Sequence, residues 1–257
     1  MKVHKKCAFK HKATKKGVKK KSSKKTAGVK LGKAATLPAD LWGLWIKHVL
    51  QHGRCWLFVA CVLSHLLCLR VTECLRLEAT DFDMKSKSVL IAPLKRQAAV
   101  RKPLLANVKR ILESLRRSGI QKKRAVQQGG RGRVVFIDKW VWPKKGLLFP
   151  SERPDSKTEH RCKDTVCKAI SRLRVSFQYP TDGNIRSHTA RHSMVNTLKI
   201  SGVPENIGMY YARIKDPKVY RGYGGLTAQQ ASALLHKHRG LNQSLAKHKK
   251  VALGKIK

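Results

Sequence analysis

Acidic residues are scarce in this chain: 14 Asp and Glu stand against 57 Lys and Arg, a formal net charge of +43 over 257 residues. Self-repulsion on that scale needs a polyanion to relieve it, so nucleic acid is the expected partner. Counterion release makes such binding tight and steeply salt-dependent. The basic residues run along the whole chain rather than beside one hydrophobic anchor, which argues against a membrane-surface protein. Long apolar runs are also lacking. The longest, Leu57 to Leu69, has 13 residues and includes Ser64 and His65. That is short of the ~20 residues that span a bilayer, so it reads as a buried helix. The N-terminus has no apolar stretch of the signal-peptide kind, and an intracellular protein is expected. The seven cysteines are odd in number and irregular in spacing, which suits buried thiols in a reducing compartment better than a disulfide framework. His160, Cys162 and Cys167 fit no standard zinc spacing and have no second pair, so no metal or other cofactor is expected. There is no internal repeat, and nothing in the central region matches the aromatic-rich motif of RNA-binding sheets.

What is present is a core. A hydrophobic fraction of 42% is ordinary for a globular domain. Residues 1–35 hold 14 lysines and no acid, and such a segment buries too little to offset its ordering entropy. A disordered Lys-rich arm is expected there. Its run from Lys15 to Lys25 has the look of a nuclear localisation signal, and an arm that clings to DNA would look the same. The expected location is the nucleus in a eukaryote, otherwise the cytoplasm or nucleoid. Residues 236–257 carry seven basic residues and no acid and read as a second tail. Between the tails, 36 basic residues still face 14 acidic ones, so DNA contact falls on the domain of residues 36–235 itself.

Within that domain Thr36-Leu37-Pro38 reads as a helix start. Leu41, Leu44, Trp45, His48 and Val49 then recur at helical spacing to Gly53. A nearly all-apolar helix follows from Cys55 to Leu69, and a short third helix carries Thr72, Glu73 and Leu75. Strands are expected over Thr80 to Asp83, Val89 to Ala92 and near Val100 to Leu104. Val108, Ile111, Leu112 and Leu115 mark another amphipathic helix. Residues 119–134 read as a basic, Gly-containing loop, with a possible strand from Val134 to Trp142. Helix returns over Lys163 to Val175, and several helices follow the turn at Tyr179 to Gly183.

Two segments carry chemistry. The first runs from Leu66 through Arg70-Val71-Thr72-Glu73 to Leu77, followed by Asp81-Phe82-Asp83. The second is Ser187-His188-Thr189-Ala190-Arg191-His192-Ser193, followed by a helix to Gly202. Together they resemble the tyrosine recombinase, or phage integrase, family over about residues 36–230. The family has an arginine between two helices with an acid three positions on, and later His-x-x-Arg-His at a helix start. The resemblance implies an α+β, mainly helical fold: a tyrosine-recombinase-like catalytic domain with a small antiparallel β-sheet. It implies breakage and rejoining of double-stranded DNA through a covalent 3′-phosphotyrosyl intermediate, with further protomers forming a synaptic tetramer.

The chemistry accounts for the residue types. Attack of a tyrosine hydroxyl on a phosphodiester builds negative charge on the non-bridging oxygens, which guanidinium groups hold with planar paired donors. By resemblance Arg70 and Arg191 are those arginines and His188 handles a proton. Lys95, in Pro93-Leu94-Lys95-Arg96-Gln97, would protonate the leaving 5′ oxygen, with Lys87, Arg96 and Arg101 as rivals. The family's register places the nucleophile at Tyr223, with Tyr220 as the alternative. Tyr210 and Tyr211 fall in a preceding helix, where packing is expected. One position departs from the pattern: the family's His or Trp nine residues before the nucleophile is Ile214 here. Arg213 or Lys215 could donate in its place. That departure keeps a second function open, a catalytically inactive DNA-binding protein derived from a mobile-element recombinase. A relaxing type IB topoisomerase shares the tyrosine chemistry. The Lys-rich arm is too short and too polar to stand for the family's N-terminal clamping domain.

Overall fold

The computed structural model describes residues 34–223 apart from 93–97, 128–132, 157 and 182–183, together with 232 and 236. Most of the Lys-rich arm, all but one residue of the C-terminal tail and Lys95 lie outside the described residues.

Eight helices and five strands follow in chain order among the described residues. Helix α1, Ala39–His52, begins after Pro38 and buries Trp42, Trp45 and Val49. This is the face that the helical spacing marks out. Helix α2, Cys55–Leu66, is apolar all round and buried on most sides, as a central helix should be. It packs against α1, against the short α3 (Val71–Leu75) and against α6 (Thr189–Ile200). It stops earlier than its apolar run suggests because Cys68 turns left-handed, with φ of 50°. Helices α4 (Ala106–Ser118), α5 (Lys163–Val175), α7 (Glu205–Ala212) and α8 (Pro217–Arg221) complete the set. None of the described helices is long and apolar enough to cross a membrane.

Strands β1 (Phe82–Asp83), β2 (Ser88–Ile91) and β3 (Val100–Pro103) form an antiparallel sheet in that order. The first strand is shorter than expected. Residues Ala79–Asp81 make a 3-10 turn instead, held by the Asp81 carboxylate on the Glu78 amide at 2.8 Å.

A larger correction concerns residues 119–134, read above as a loop. Half of them form β4 (Ile120–Gln127), which pairs antiparallel with β5 (Arg133–Trp140) as a separate hairpin, while residues 128–132 lie outside the described residues. Gly119, at φ of 59°, ends α4 and starts this strand; a side chain there would meet the Trp140 carbonyl at 2.5 Å. The hairpin grips the α1–α2 corner through Lys122 and Asp138, which face each other across the strands. The Lys122 ammonium donates to the carbonyls of Leu50, Gln51 and Gly53 at the end of α1. The buried Asp138 carboxylate accepts the Cys55 amide at 2.9 Å at the start of α2. Each charge thus meets the helix end of opposite partial charge.

Two clusters of buried side chains result. The larger joins α1 to α5, both sheets and the start of α6. The smaller gathers Cys68, Met194, Val195, Leu198, Tyr211, Ala212, Ile214 and Tyr220 from the turn after α2 and from α6 to α8.

Candidate active site

The site is assembled around the turn between α2 and α3. Arg70 sits at the N-terminus of α3, where its amide donates to Glu73 Oε2 at 2.8 Å and its Nη1 to Glu73 Oε1 at 3.0 Å. Spacing i, i+3 on a helix start makes this contact local. Glu73 is wholly buried, whereas the Arg70 side chain is one third exposed. A second guanidinium reaches the same oxygen: Arg213 Nη1 lies 3.3 Å from Glu73 Oε1. Two cations therefore share one carboxylate, which aligns both and leaves net positive charge.

Arg213 stands just past the end of α7 in the left-handed region, with φ of 54° and ψ of 44°. Glycine is the usual occupant of such a helix end, and a long charged residue there indicates a demand from the site. Its Nη2 donates to the Ala98 carbonyl at 3.4 Å. Lys215 is exposed, and Ile214 is buried in the smaller cluster.

Arg191 is held by backbone on two sides. It is 1% exposed. Its Nη1 donates to the Cys68 carbonyl at 2.7 Å and its Nη2 to the Ala212 carbonyl at 2.6 Å. Each terminal nitrogen thus gives one of its two hydrogens to backbone, and Nε has no acceptor among the described residues. The pair of guanidiniums that shares one carboxylate is Arg70 and Arg213.

His188 precedes α6. Burial lowers its pKa first, and the positive charges of Lys163, Arg191 and Arg70 lower it further, against the pull of Glu73. These effects favour the neutral ring, the form able to accept a proton. One helical turn on, the His192 ring lies against Tyr223 at 4.4 Å between centroids. Arg191 Cζ is 5.9 Å from the Tyr223 ring centroid. Tyr223 is half-buried, and its carbonyl accepts from Lys199 at 3.0 Å. Tyr220 is 2% exposed, and its hydroxyl is buried without a partner among the described residues. Tyr211 is a core residue whose hydroxyl donates to the Leu66 carbonyl at 2.6 Å. Tyr210 is 64% exposed.

Lys102 entered none of the sequence expectations. It lies on β3 opposite Val89, on the inward face, and is 2% exposed. Its Nζ donates to the Leu67 carbonyl and sits 4.1 Å from the Tyr211 ring centroid. The one signal in the sequence is alternation, which puts Lys102 in the row of Val100 that faces Val89 and Ile91. Among 57 basic residues that signal is easily passed over.

A family model described as the phage integrase family matches residues 51–210. No curated protein sequence matches the chain. Among solved structures, the Tn1549 transposon integrase in complex with a circular intermediate DNA is similar, with a TM-score of 0.55 at 12% identity over 80% of this chain and 66% of that one. XerA recombinase is similar with a TM-score of 0.55 at 16% identity, over 81% and 66% of the two chains. XerH recombinase bound to a palindromic difH substrate gives 0.53 at 14% identity, over 80% and 54%. The chain spans just under two thirds of the first two and about half of the third.

Proposed function

This chain belongs to the phage integrase family of tyrosine recombinases, and we propose that it breaks and rejoins double-stranded DNA by attack of Tyr223 on a backbone phosphate. The observation that carries this reading is the gathering of Arg70, Arg213 and His188 about the buried Glu73, with Arg191 beside Tyr223. Arg70, Arg191 and Arg213 are the donors to the phosphate oxygens, where a pentacoordinate state gathers charge. Arg213, not Lys215, stands in for the family's His or Trp, since Arg213 shares Glu73 with Arg70 while Lys215 faces solvent. Arg191 supplies positive charge beside the Tyr223 ring and holds the turn that presents Arg70. His188, neutral at the outset, takes a proton.

In this scheme Tyr223 Oη bonds to phosphorus and the bond to the 5′ oxygen breaks. The 5′ oxygen takes its proton from Lys95, and a second 5′ hydroxyl reverses the step. Support for DNA as the partner comes from the net charge and from the DNA-bound integrase and recombinase of similar fold. The proposal includes further protomers in a synaptic tetramer and a mobile-element origin. In a eukaryotic host it includes nuclear import through the Lys15 to Lys25 run. A second reading, an inactive DNA-binding protein, rests on the buried Ile214 at the position of the family's His or Trp.

One experiment separates the two: incubation with a DNA duplex nicked near the scissile phosphate, so that cleavage traps the protein. The wild-type chain is expected to give a band resistant to denaturant and sensitive to protease. Tyr223→Phe is expected to bind DNA normally and give no band, while Tyr220→Phe retains it. A band from Tyr223→Phe would move the nucleophile elsewhere. Tight binding with no band from the wild-type chain would establish the inactive reading.

A further inference from the structure

Four successive carbonyls, from Leu66 to Leu69, separate α2 from Arg70, and each accepts from a side chain. Tyr211 of α7 serves Leu66, Lys102 of β3 serves Leu67, Arg191 of α6 serves Cys68 and Ser64 of α2 serves Leu69. Three of these donors come from distant parts of the chain. The turn they hold contains the left-handed Cys68 and leads directly into Arg70.

Lys102 is the least expected of the four. An apolar residue would fill its inward position on β3 at no electrostatic cost, and a buried ammonium is expensive without an anion. No carboxylate lies within ion-pair distance of it among the described residues. Its charge is met only by one carbonyl and the face of the Tyr211 ring, a cation–π arrangement. The charged and titratable groups that face it are Cys68 from the turn, Arg191 from α6, Glu73 from α3 and Arg213 from the end of α7. It thus reaches the Arg70 turn from β3.

We propose that Lys102 is a positioning residue for DNA cleavage: it fixes the turn before Arg70 against β3 and so holds Arg70 in place. This rests on the reading of Arg70 as a phosphate donor. Loss of the contact leaves DNA binding intact, because binding draws on charge spread over the whole surface, and slows the chemical step, where small misplacements are costly. Burial, with the neighbouring arginines, pulls the lysine's pKa down to about 8. Positioning by the charged form therefore weakens as pH rises through that value.

The test compares Lys102→Met and Lys102→Arg with the wild-type full-length chain, on the nicked duplex and by hydrogen exchange of the peptide covering residues 66–75. Lys102→Met is expected to melt cooperatively, bind DNA within about 2-fold of wild type and cleave at least ~10-fold more slowly. Its 66–75 amides exchange faster, while those of the β4–β5 hairpin do not change. The wild-type cleavage rate declines above pH 8, Lys102→Met lacks that decline, and Lys102→Arg restores part of the rate and shifts the decline upward. A Lys102→Met protein with wild-type rate, pH profile and exchange overturns the proposal. If the wild-type chain forms no adduct at all, the recombinase reading falls, and the exchange comparison alone still decides whether Lys102 holds the turn.

Discussion

Tyr220 and Tyr223 stand three residues apart, and their surroundings are opposite. Tyr220 lies so close to Gly208 that a Cβ there would be 2.0 Å from its hydroxyl and 2.8 Å from Cζ. Gly208→Ala is therefore expected to destabilise the protein by about 1–3 kcal/mol through overpacking. Tyr220→Phe removes a buried hydroxyl that has no partner among the described residues, at little or no cost, and in the Gly208→Ala background recovers part of the loss. Thermal melts of the two single variants and the double variant give the coupling directly; strict additivity would rule out this contact as the cause. The residues of the site were unequally legible. Arg70, His188 and Arg191 stand in short local patterns that a reader of sequence can find. The joint hold of Arg70 and Arg213 on Glu73 spans 140 positions, and no local pattern announces it. Nor does local sequence tell that Arg191 donates to backbone carbonyls, because that depends on where α2 and α7 end.

At the scale of elements, the helices were readable because an apolar stripe at a period near 3.6 is a strong signal. Of the second hairpin, β5 was readable near Val134 to Trp142 and β4 was not. The stretch Gln121-Lys122-Lys123-Arg124 has low strand propensity, and it forms a strand because Lys122 and Asp138 have helix ends to serve. A local reading sees four polar residues, whereas the fold sees a pair of charges placed at a corner. Asp138→Ala removes the acceptor of the Cys55 amide and the anion 3.2 Å from Arg54 Nε. It is expected to cost about 2–4 kcal/mol, as a buried cap and a broken ion pair together. Urea denaturation measures this. A loss below ~0.5 kcal/mol would mean that the hairpin merely rests on the corner.

For the molecule as a whole, charge governs the encounter with DNA. The 14 lysines before residue 34 and the surplus on the folded part act together, and each phosphate neutralised adds about −0.9 to the slope of log affinity against log salt. Removal of residues 1–33 is expected to make that slope shallower and to leave a clear residual slope from the folded part. Titrations of a duplex at several salt concentrations check it, and an unchanged slope would mean that the arm does not touch DNA. The bonds that make the site also close long loops. Arg191 to Cys68 spans 123 positions, Arg213 to Glu73 140, and Tyr211 to Leu66 145. Ring closures of that length are completed late, after local helices and hairpins have formed. During synthesis Arg70 and Glu73 therefore leave the ribosome long before the groups that define their geometry. A nascent chain carries its positive charge while its site does not yet exist, and it acquires that site only when α6 and α7 emerge and dock.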